Sequence, residues 1–579
     1  MDSIKNISID LTKYPFNKNA FSTISENRWV KNQWPLVYII KNDKKKIAYV
    51  GETTNAASRI KNHFANDERL ILNTITLIGS SKFNKSATLD IESQLIQYLS
   101  ADSSYILQNG NGGLTHHNYY DRQFYKELFQ EIWLRLKKEN VVSKTLKEIE
   151  NSNLFKYSPY KALTAEQHES IIAILNKLIS GNNDSLFVEG SAGTGKTIIA
   201  TYLMKLLHSP LPSEDEVSDL EGFKLVEYAL LKKFHEKYPN PKIALVIPMT
   251  SLRKSLKTVF KAIGGLKPNM VIGPSDAVKD SYDLLIVDEA HRLARRKNIP
   301  NYGSFDATNR KLGLDNEGTQ LDWILMSSNN QLFFYDEAQS VKPSDIPKVT
   351  FDILKSKSSK PIQLTSQMRV SAGNDYISFI DQALKSRDIS KFKVPSGYDF
   401  KYFNSFKDFH NALIAKEEEH GLSRMIAGYS WQWVSKTDKS KFDIEIEGIK
   451  LQWNNVNIDW INSAKPSLEV GCIHTTQGYD LNYAGIIFGH EITYNKELNK
   501  IEIIRENYHD RNGSAGIKDD EVLQDYIINI YKTIMYRGIK GTFVYACDKN
   551  LKEHFSKIFG DGYIKVSGNF TDTTTQTTN

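Results

Sequence analysis

The chain has 579 residues, 40% hydrophobic and 25% charged, with a formal charge of +6 and two cysteines, Cys472 and Cys547. At roughly 150 residues per domain this length predicts three or four units rather than one core. No apolar run approaches the ~18 residues of a membrane span, the N-terminus lacks the pattern of a signal peptide, and two cysteines build neither a disulfide framework nor a CxxC zinc site, so the expectation is a cytoplasmic protein with no membrane partner.

In chain order, residues 30–118 read as a small α+β domain. VYII and IAYVG are two short strands joined by the lysine-rich hairpin NDKKK. A turn, Thr53-Thr54-Asn55, then opens a helix that carries Arg59 and His63 one turn apart. A second helix is expected around SATLDIESQLIQYL, and NGNGG closes the segment as a loop. Residues 119–155 have Phe124, Leu128, Phe129, Ile132, Trp133 and Leu136 at helical spacing and read as a helical connector. Beyond Ser158 the short apolar runs SLFVEG, KIALVIP, DLLIVDEA, QLFFYDE, SRMIAGY, GIIFG and GTFVYAC alternate with helical patterns. That alternation predicts parallel sheets, divided into lobes over 156–360 and 361–560. HSPLPSEDEVSD and NYHDRNGSAGIKDDE read as surface insertions, and 561–579, ending TDTTTQTTN, has too few apolar side chains to offset ordering entropy.

Two motifs carry chemistry without further context. In VEGSAGTGKTIIA, Gly190, Gly193 and Gly195 free the backbone to close around phosphates, Lys196 reaches the terminal ones and Thr197 offers a hydroxyl to magnesium. In DLLIVDEAH four apolar residues run into Asp288 and Glu289, two carboxylates at the C-terminal edge of a sheet. Asp288 is expected to hold Mg2+ through water, and Glu289 to polarise an attacking water on ATP.

The ordered series ALTAEQ, GSAGTGKT, VIPMTSLRKSL, IVDEAH, FYDEAQ, LTSQMR, HTTQGYD and MYRGIKG resembles the motor motifs of superfamily one helicases, more narrowly the branch with Schlafen-like helicase domains, for which RMIAGYSWQW and GCIHTTQG are similar strings. The resemblance covers 156–550 and implies two RecA-like lobes that use ATP to move on nucleic acid, single-stranded or branched DNA first and RNA as the alternative. It further implies that Gln167 reads the adenine edge, Gln339 senses the terminal phosphate, Gly478 and Asp480 face the nucleotide, and Arg369 and Arg537 come from the second lobe as arginine fingers. Thr250, Ser251, His474, Thr475 and Thr476 are candidate phosphate contacts, and Tyr429, Trp431 and Trp433 a candidate stacking platform, although alternating aromatics on a strand are more often core. The run HRLARRKN reads as a solvated loop or a nucleic-acid contact.

The N-terminal unit is similar to the GIY-YIG nuclease family: Val37-Tyr38, Tyr49-Val50-Gly51, Arg59, His63, Glu92 and the asparagines of NGNGG follow in order, with Leu36 in place of the first glycine of the name motif. The resemblance implies that Glu92 binds one divalent metal, Tyr38 and Tyr49 organise or deprotonate water, Arg59 holds the scissile phosphate, His63 assists proton transfer, and Asn109 or Asn111 braces the site. The whole reads as an ATP-dependent translocase or helicase fused to a metal-dependent endonuclease. The alternatives are an ATP-switched nucleic-acid-binding protein with a non-cleaving nuclease fold, and an NTPase that regulates a protein partner.

Overall fold

A computed structural model describes residues 8–109, 120–181, 184–212, 217, 222–340, 342–370, 373–385, 397–456, 460–463, 465–476 and 479–560. The chain is mixed α/β and its described residues fall into two compact units, one reaching Arg369 and taking in 479–480, the other made of 370–476 and 481 onward. The NGNGG loop beyond Asn109, with Asn111, lies outside the described residues, as do Gly478 and the tail 561–579.

The first unit opens with a five-stranded sheet of order β1-β4-β2-β3-β5: β1 is Ile9–Pro15, β2 Leu36–Asn42, β3 Ile47–Thr53, β4 Thr74–Ser80 and β5 Ile106–Leu107. Strand β1 precedes the expected domain start at 30 yet pairs antiparallel with β4 along its whole length. Strands β2 and β3 form the expected hairpin, with Tyr38 opposite Gly51 and Ile40 opposite Tyr49. That register puts Tyr38, Ile40, Tyr49 and Gly51 on one face, because alternate strand residues share a face. Val37, Ile39 and Val50 point to the other. Both faces are buried, which is why VYII is uniformly apolar. Helix α1 (Ala56–Ala65) covers the tyrosine face through Ala56 and Ile60. Helix α2 (Lys85–Asp102) covers the opposite face through Ile91, Leu95 and Leu99.

The expected connector contains α3 (Arg122–Lys138), whose Leu128, Phe129, Ile132, Trp133 and Leu136 are buried. These residues belong to a hydrophobic core that starts at Val37 and Ile39 of the nuclease-like sheet and continues through α2 and α3 into α4 (Ala165–Ser180) and the next sheet. The first domain and the first lobe therefore share one core. At the same seam Tyr160 is buried, with its hydroxyl donating to the Asn109 carbonyl at 3.2 Å.

The second sheet is wholly parallel, in the order β11-β6-β10-β9-β7-β8. Its strands are β6 Ser185–Gly190, β7 Ile243–Val246, β8 Val271–Ile272, β9 Tyr282–Val287, β10 Ser328–Tyr335 and β11 Ile362–Leu364. Pairing of β11 with β6 carries this sheet beyond the expected lobe boundary at 360, and Arg369 lies in the first unit, not the second. Sequence places 361–369 in the second lobe because three strand residues are too short a signal to assign to a sheet.

The second unit holds a seven-stranded sheet of order β12-β20-β17-β13-β16-β15-β14, parallel except for the β14–β15 pair. Its strands are β12 Asp399–Tyr402, β13 Ser423–Ala427, β14 Ile444–Ile446, β15 Ile449–Trp453, β16 Glu469–Gly471, β17 Leu481–Phe488 and β20 Gly538–Ala546, while β18 (Ile492–Asn495) and β19 (Lys500–Ile503) form a separate hairpin. Among the described residues no helix is long and apolar enough to cross a membrane.

Candidate functional site

The nuclease-like site grows from three local signals. Thr53 and Asn55 build the turn after β3: the Thr53 hydroxyl accepts from the Asn55 amide at 2.9 Å, and the Asn55 side chain caps α1 by accepting from the Ser58 amide at 3.2 Å. The capped helix brings His63 beneath the two tyrosines. Tyr38 Oη and His63 Nε2 are 2.8 Å apart, and the His63 ring lies edge-on to Tyr49 with centroids 5.0 Å apart. From the other side of β3, Glu92 on α2 accepts from the Glu52 amide at 3.2 Å. Asn109 closes the group, its side chain accepting from the Val50 amide at 3.1 Å and donating to the Val50 carbonyl at 2.9 Å.

Electrostatics set these groups apart. Burial, joined by the Arg59 and Arg69 charges, holds His63 far below its ordinary value, at about 3, so the imidazole is neutral at physiological pH. Burial, then the neighbouring Tyr49, raises the Tyr38 phenol well above its usual range, with Arg59 opposing through charge and a hydrogen bond. Burial, then the Glu52 carboxylate, pushes Glu92 up to about 8. A divalent cation reverses that balance, which is the sense in which Glu92 fits a metal. Among the described residues no group of three or more His, Cys, Asp or Glu side chains is placed to hold a metal. Glu92 fits the sparse kind of magnesium site that keeps water and phosphate oxygens as its other ligands.

Two residues here escaped the sequence reading. Glu52 sits beside Glu92, with its carboxylate taken by Lys85 and by the Thr88 hydroxyl at 3.0 Å. Arg69 is 3% exposed and lies over the Tyr49 ring at 4.0 Å.

The nucleotide-type site lies at the C-terminal edge of the parallel sheet, where β6 ends at Gly190 and Asp288 and Asp336 directly follow β9 and β10. Gly193 and Gly195 take φ of +87° and +88°, a left-handed conformation that lets the loop curl back over the start of α5 (Lys196–Leu207). The Lys196 ammonium donates to the carbonyls of Gly190 at 2.6 Å and Ser191 at 2.9 Å, and lies 3.5 Å from Asp336. The Thr197 hydroxyl donates to Asp288 at 2.7 Å, bringing together the two groups expected to hold Mg2+. Burial, then Glu289, raises the Asp288 carboxyl. Glu289 itself lies 2.9 Å from His291 Nε2. Gln339 donates to Asp336 at 2.6 Å. Gln167 caps α4 through the Thr164 amide at 3.1 Å and donates to the Thr194 carbonyl at 3.1 Å, tying the helix to the phosphate loop.

Gln167, Gly193, Gly195, Lys196, Thr197, Glu289 and Gln339 line one pocket, joined by Arg369 and Asp480, which pair with each other. Lys156, Tyr157 and Lys161 also line it, with Lys156 donating to the Asp480 carbonyl at 2.6 Å. Nothing in their sequence context marked them, because a segment between a connector and a capped helix has no periodicity to read.

Several expected contacts are used internally. Thr475 and Thr476 are buried, with hydroxyls committed to Asn454 at 3.0 Å and to the Cys472 carbonyl at 2.8 Å, so they are not positioned as phosphate contacts. Tyr429, Trp431 and Trp433 follow β13 rather than lying on a strand, and pack against the second unit's core, with Tyr429 beside His474 and Trp453. Thr250 and Ser251 open a helix at Thr250–Ala262. Arg537 is buried in the second unit, immediately before β20. The basic run is absorbed too: Arg292 pairs with Asp345 at 2.6 Å, Arg296 with Asp306 at 2.6 Å, and Arg295 donates to the Pro343 carbonyl at 3.0 Å.

A small sheet carrying paired tyrosines, and a phosphate loop on the first of two largely parallel sheets, define a nuclease–helicase fusion. The chain belongs to the Schlafen group 3 DNA/RNA helicase family, whose domain matches residues 183–548, and residues 35–104 match the GIY-YIG catalytic domain. It is similar to the uncharacterized protein YPL245W of Saccharomyces cerevisiae, 25% identical over 68% of this chain and 90% of that one. Among solved structures it is similar to a Pif1 helicase from Bacteroides in complex with ADP-AlF3 and ssDNA (13% identity, 67% of this chain and 94% of that one, TM-score 0.27). It is also similar to the arterivirus nonstructural protein 10 helicase, at 10% identity and TM-score 0.27, and spans 63% of that chain.

Proposed function

We propose that the chain is an ATP-dependent nucleic-acid translocase or helicase that carries its own divalent-metal-dependent endonuclease and acts in DNA processing or defence against foreign DNA. The observation that carries this reading is the convergence, within one unit, of two hydrolytic sets. Lys196, Thr197 and Asp288 meet at a phosphate loop, and Tyr38, Tyr49, His63 and Glu92 gather around β3.

At the motor site Lys196 would neutralise the terminal phosphates of a bound nucleotide, Thr197 and Asp288 would hold magnesium, and Glu289 would orient the attacking water with His291 steadying its carboxylate. Arg369, released from Asp480 when nucleotide enters, supplies positive charge to the transferring phosphoryl group. At the nuclease site Glu92 would hold a divalent metal, which when bound would supply charge neutralisation on the phosphodiester. The neutral His63 positions Tyr38 through the 2.8 Å contact of Nε2 with Oη, Tyr49 orients the attacking water, whose oxygen bonds to phosphorus as the P–O bond to the leaving sugar oxygen breaks and its proton passes through solvent to that oxygen, and Arg59 clamps the scissile phosphate. Asn109 keeps β3 in place beneath them.

A pair of substitutions tests the assignment on labelled single-stranded, branched and duplex DNA and RNA with Mg2+, with and without ATP. Glu92→Ala is expected to abolish cutting and keep ATP hydrolysis, and Lys196→Ala to abolish ATP hydrolysis. Cutting that survives Glu92→Ala sinks the nuclease assignment, and ATP hydrolysis indifferent to every nucleic acid sinks the translocase. A wild-type chain that binds branched DNA without cutting it would instead favour the switched binding protein.

A further inference from the structure

Arg69 is a charged residue beside the tyrosine pair that no motif marks. It ends a short turn, Asp67–Arg69, capped by Asn66, whose side chain accepts from the Glu68 amide at 3.0 Å while its carbonyl accepts from the Arg69 amide at 3.0 Å. The guanidinium is 3% exposed, lies over the face of Tyr49 with Cζ 4.0 Å from the ring centroid, and donates to Gln108 Oε1 at 2.9 Å. Gln108 is held in turn: its side chain donates to the Glu68 carbonyl at 2.8 Å and its amide to the Ala48 carbonyl at 2.9 Å, one residue before Tyr49.

A buried arginine is costly unless it compensates charge or stacks on an aromatic face, and this one is kept where both are useful. The Tyr49 ring is boxed by Arg69 on its face, by His63 with centroids 5.0 Å apart, and by Tyr38 at 6.3 Å. Arg59 already provides a partly exposed cation on α1, the residue proposed above to clamp the scissile phosphate. Arg69, sealed from solvent, cannot serve as a second clamp of that kind.

We propose that Arg69 is a positioning residue of the nuclease site: from behind Tyr49 it fixes the ring that orients the attacking water, and its charge favours the negative charge that builds on that water and on the phosphate during cleavage, without touching substrate. The proposal rests on the nuclease reading above. It is consistent with the neutral state of His63, which the Arg69 charge helps maintain after burial and Arg59.

The test uses the full chain, with Mg2+ and a DNA that the wild type cuts and Glu92→Ala does not. Failure of that control refutes the nuclease reading and this proposal with it. With the control in place, Arg69→Met is expected to lower the kcat of cleavage on the order of 30-fold, the size of a desolvated cation–π contact, with KM unchanged and ATP hydrolysis intact. Arg69→Lys, which keeps the charge but not the flat stack, is expected to recover most of that loss. Cleavage by Arg69→Met within twofold of wild type, a change confined to KM, or equal losses in the two variants overturns the proposal. If Arg69→Met also loses ATP hydrolysis, the fold has failed and Arg69→Lys decides alone: kcat within about tenfold of wild type at unchanged KM supports the role, and a larger loss overturns it.

Discussion

Replacing Gly51 with alanine adds one methyl group to the nuclease sheet and removes no catalytic atom. Gly51 faces Tyr38 across the β2–β3 ladder, and the Tyr38 ring lies directly over it. A Cβ built there falls on Oη, Cζ and Cε2 of Tyr38, with the last, the farthest of the three, at 2.9 Å. Carbon atoms pack at about 3.5–4.0 Å, so the ring must move by roughly 1 Å or the strands must part. Tyr38 is 0% exposed and has no free space to take up. Overpacking of this kind costs about 1–3 kcal/mol. Displacement is the larger effect on function, because it breaks the 2.8 Å contact between Tyr38 Oη and His63 Nε2. A misplacement of about 1 Å costs a catalytic group roughly 100-fold in rate. Gly51→Ala is therefore expected to lower Mg2+-dependent cleavage by about two orders of magnitude, to lower the melting temperature by a few degrees, and to leave ATP hydrolysis at the wild-type rate. A variant that cuts within threefold of wild type would refute the reasoning that glycine is present to seat the tyrosine.

Asn109→Ala leaves the Val50 amide and carbonyl without their partner. A loss of about 2–4 kcal/mol in unfolding free energy, with cutting reduced more than ATP hydrolysis, is expected in denaturant titrations followed by both assays. His63 carries a pH signature. Its folded value of about 3 lies below the ordinary 6.5, so the stability it contributes is complete above about pH 6.5 and declines as acid protonates the unfolded chain, by about 2 kcal/mol at pH 5. Glu92, raised to about 8, acts in the opposite sense, so the informative measurement is the difference in melting between wild type and His63→Gln. That difference should shrink from neutral pH to about pH 5 without metal, and a constant difference contradicts the assignment.

The sequence announces what is local. Apolar runs ending in Gly190, Asp288 or Asp336 locate the strands and the phosphate edge, and the Tyr38–Gly51 register follows from a short hairpin. It stays silent where a side chain's meaning depends on a distant partner. Arg69 carries no signal until Gln108 and Tyr49 are placed around it, and HRLARRKN reads as a solvated loop or a nucleic-acid contact until Asp306 and Asp345 arrive from later in the chain. Thr475 and Thr476 look available in HTTQG and prove to be fastening a buried turn. The three-residue strand β11 gives no periodic signal, and its place beside β6 is what moves Arg369 into the first unit.

The core that begins beneath β2 and runs unbroken to the helix under the phosphate loop also decides what kind of inheritance the two halves share. Because Val37 and Leu95 are buried in the same cluster as Ile171 and Leu203, while the tyrosine face keeps a cluster of its own, a lesion in the shared cluster burdens both halves together. Ligand binding distributes in the same way. A nucleotide held at one hundred times its Kd adds about 2.7 kcal/mol to the unfolding free energy of whatever melts with its site. On the proposed function, a nucleotide bound at the phosphate loop is therefore expected to steady the nuclease-like sheet as well as the lobe that holds it.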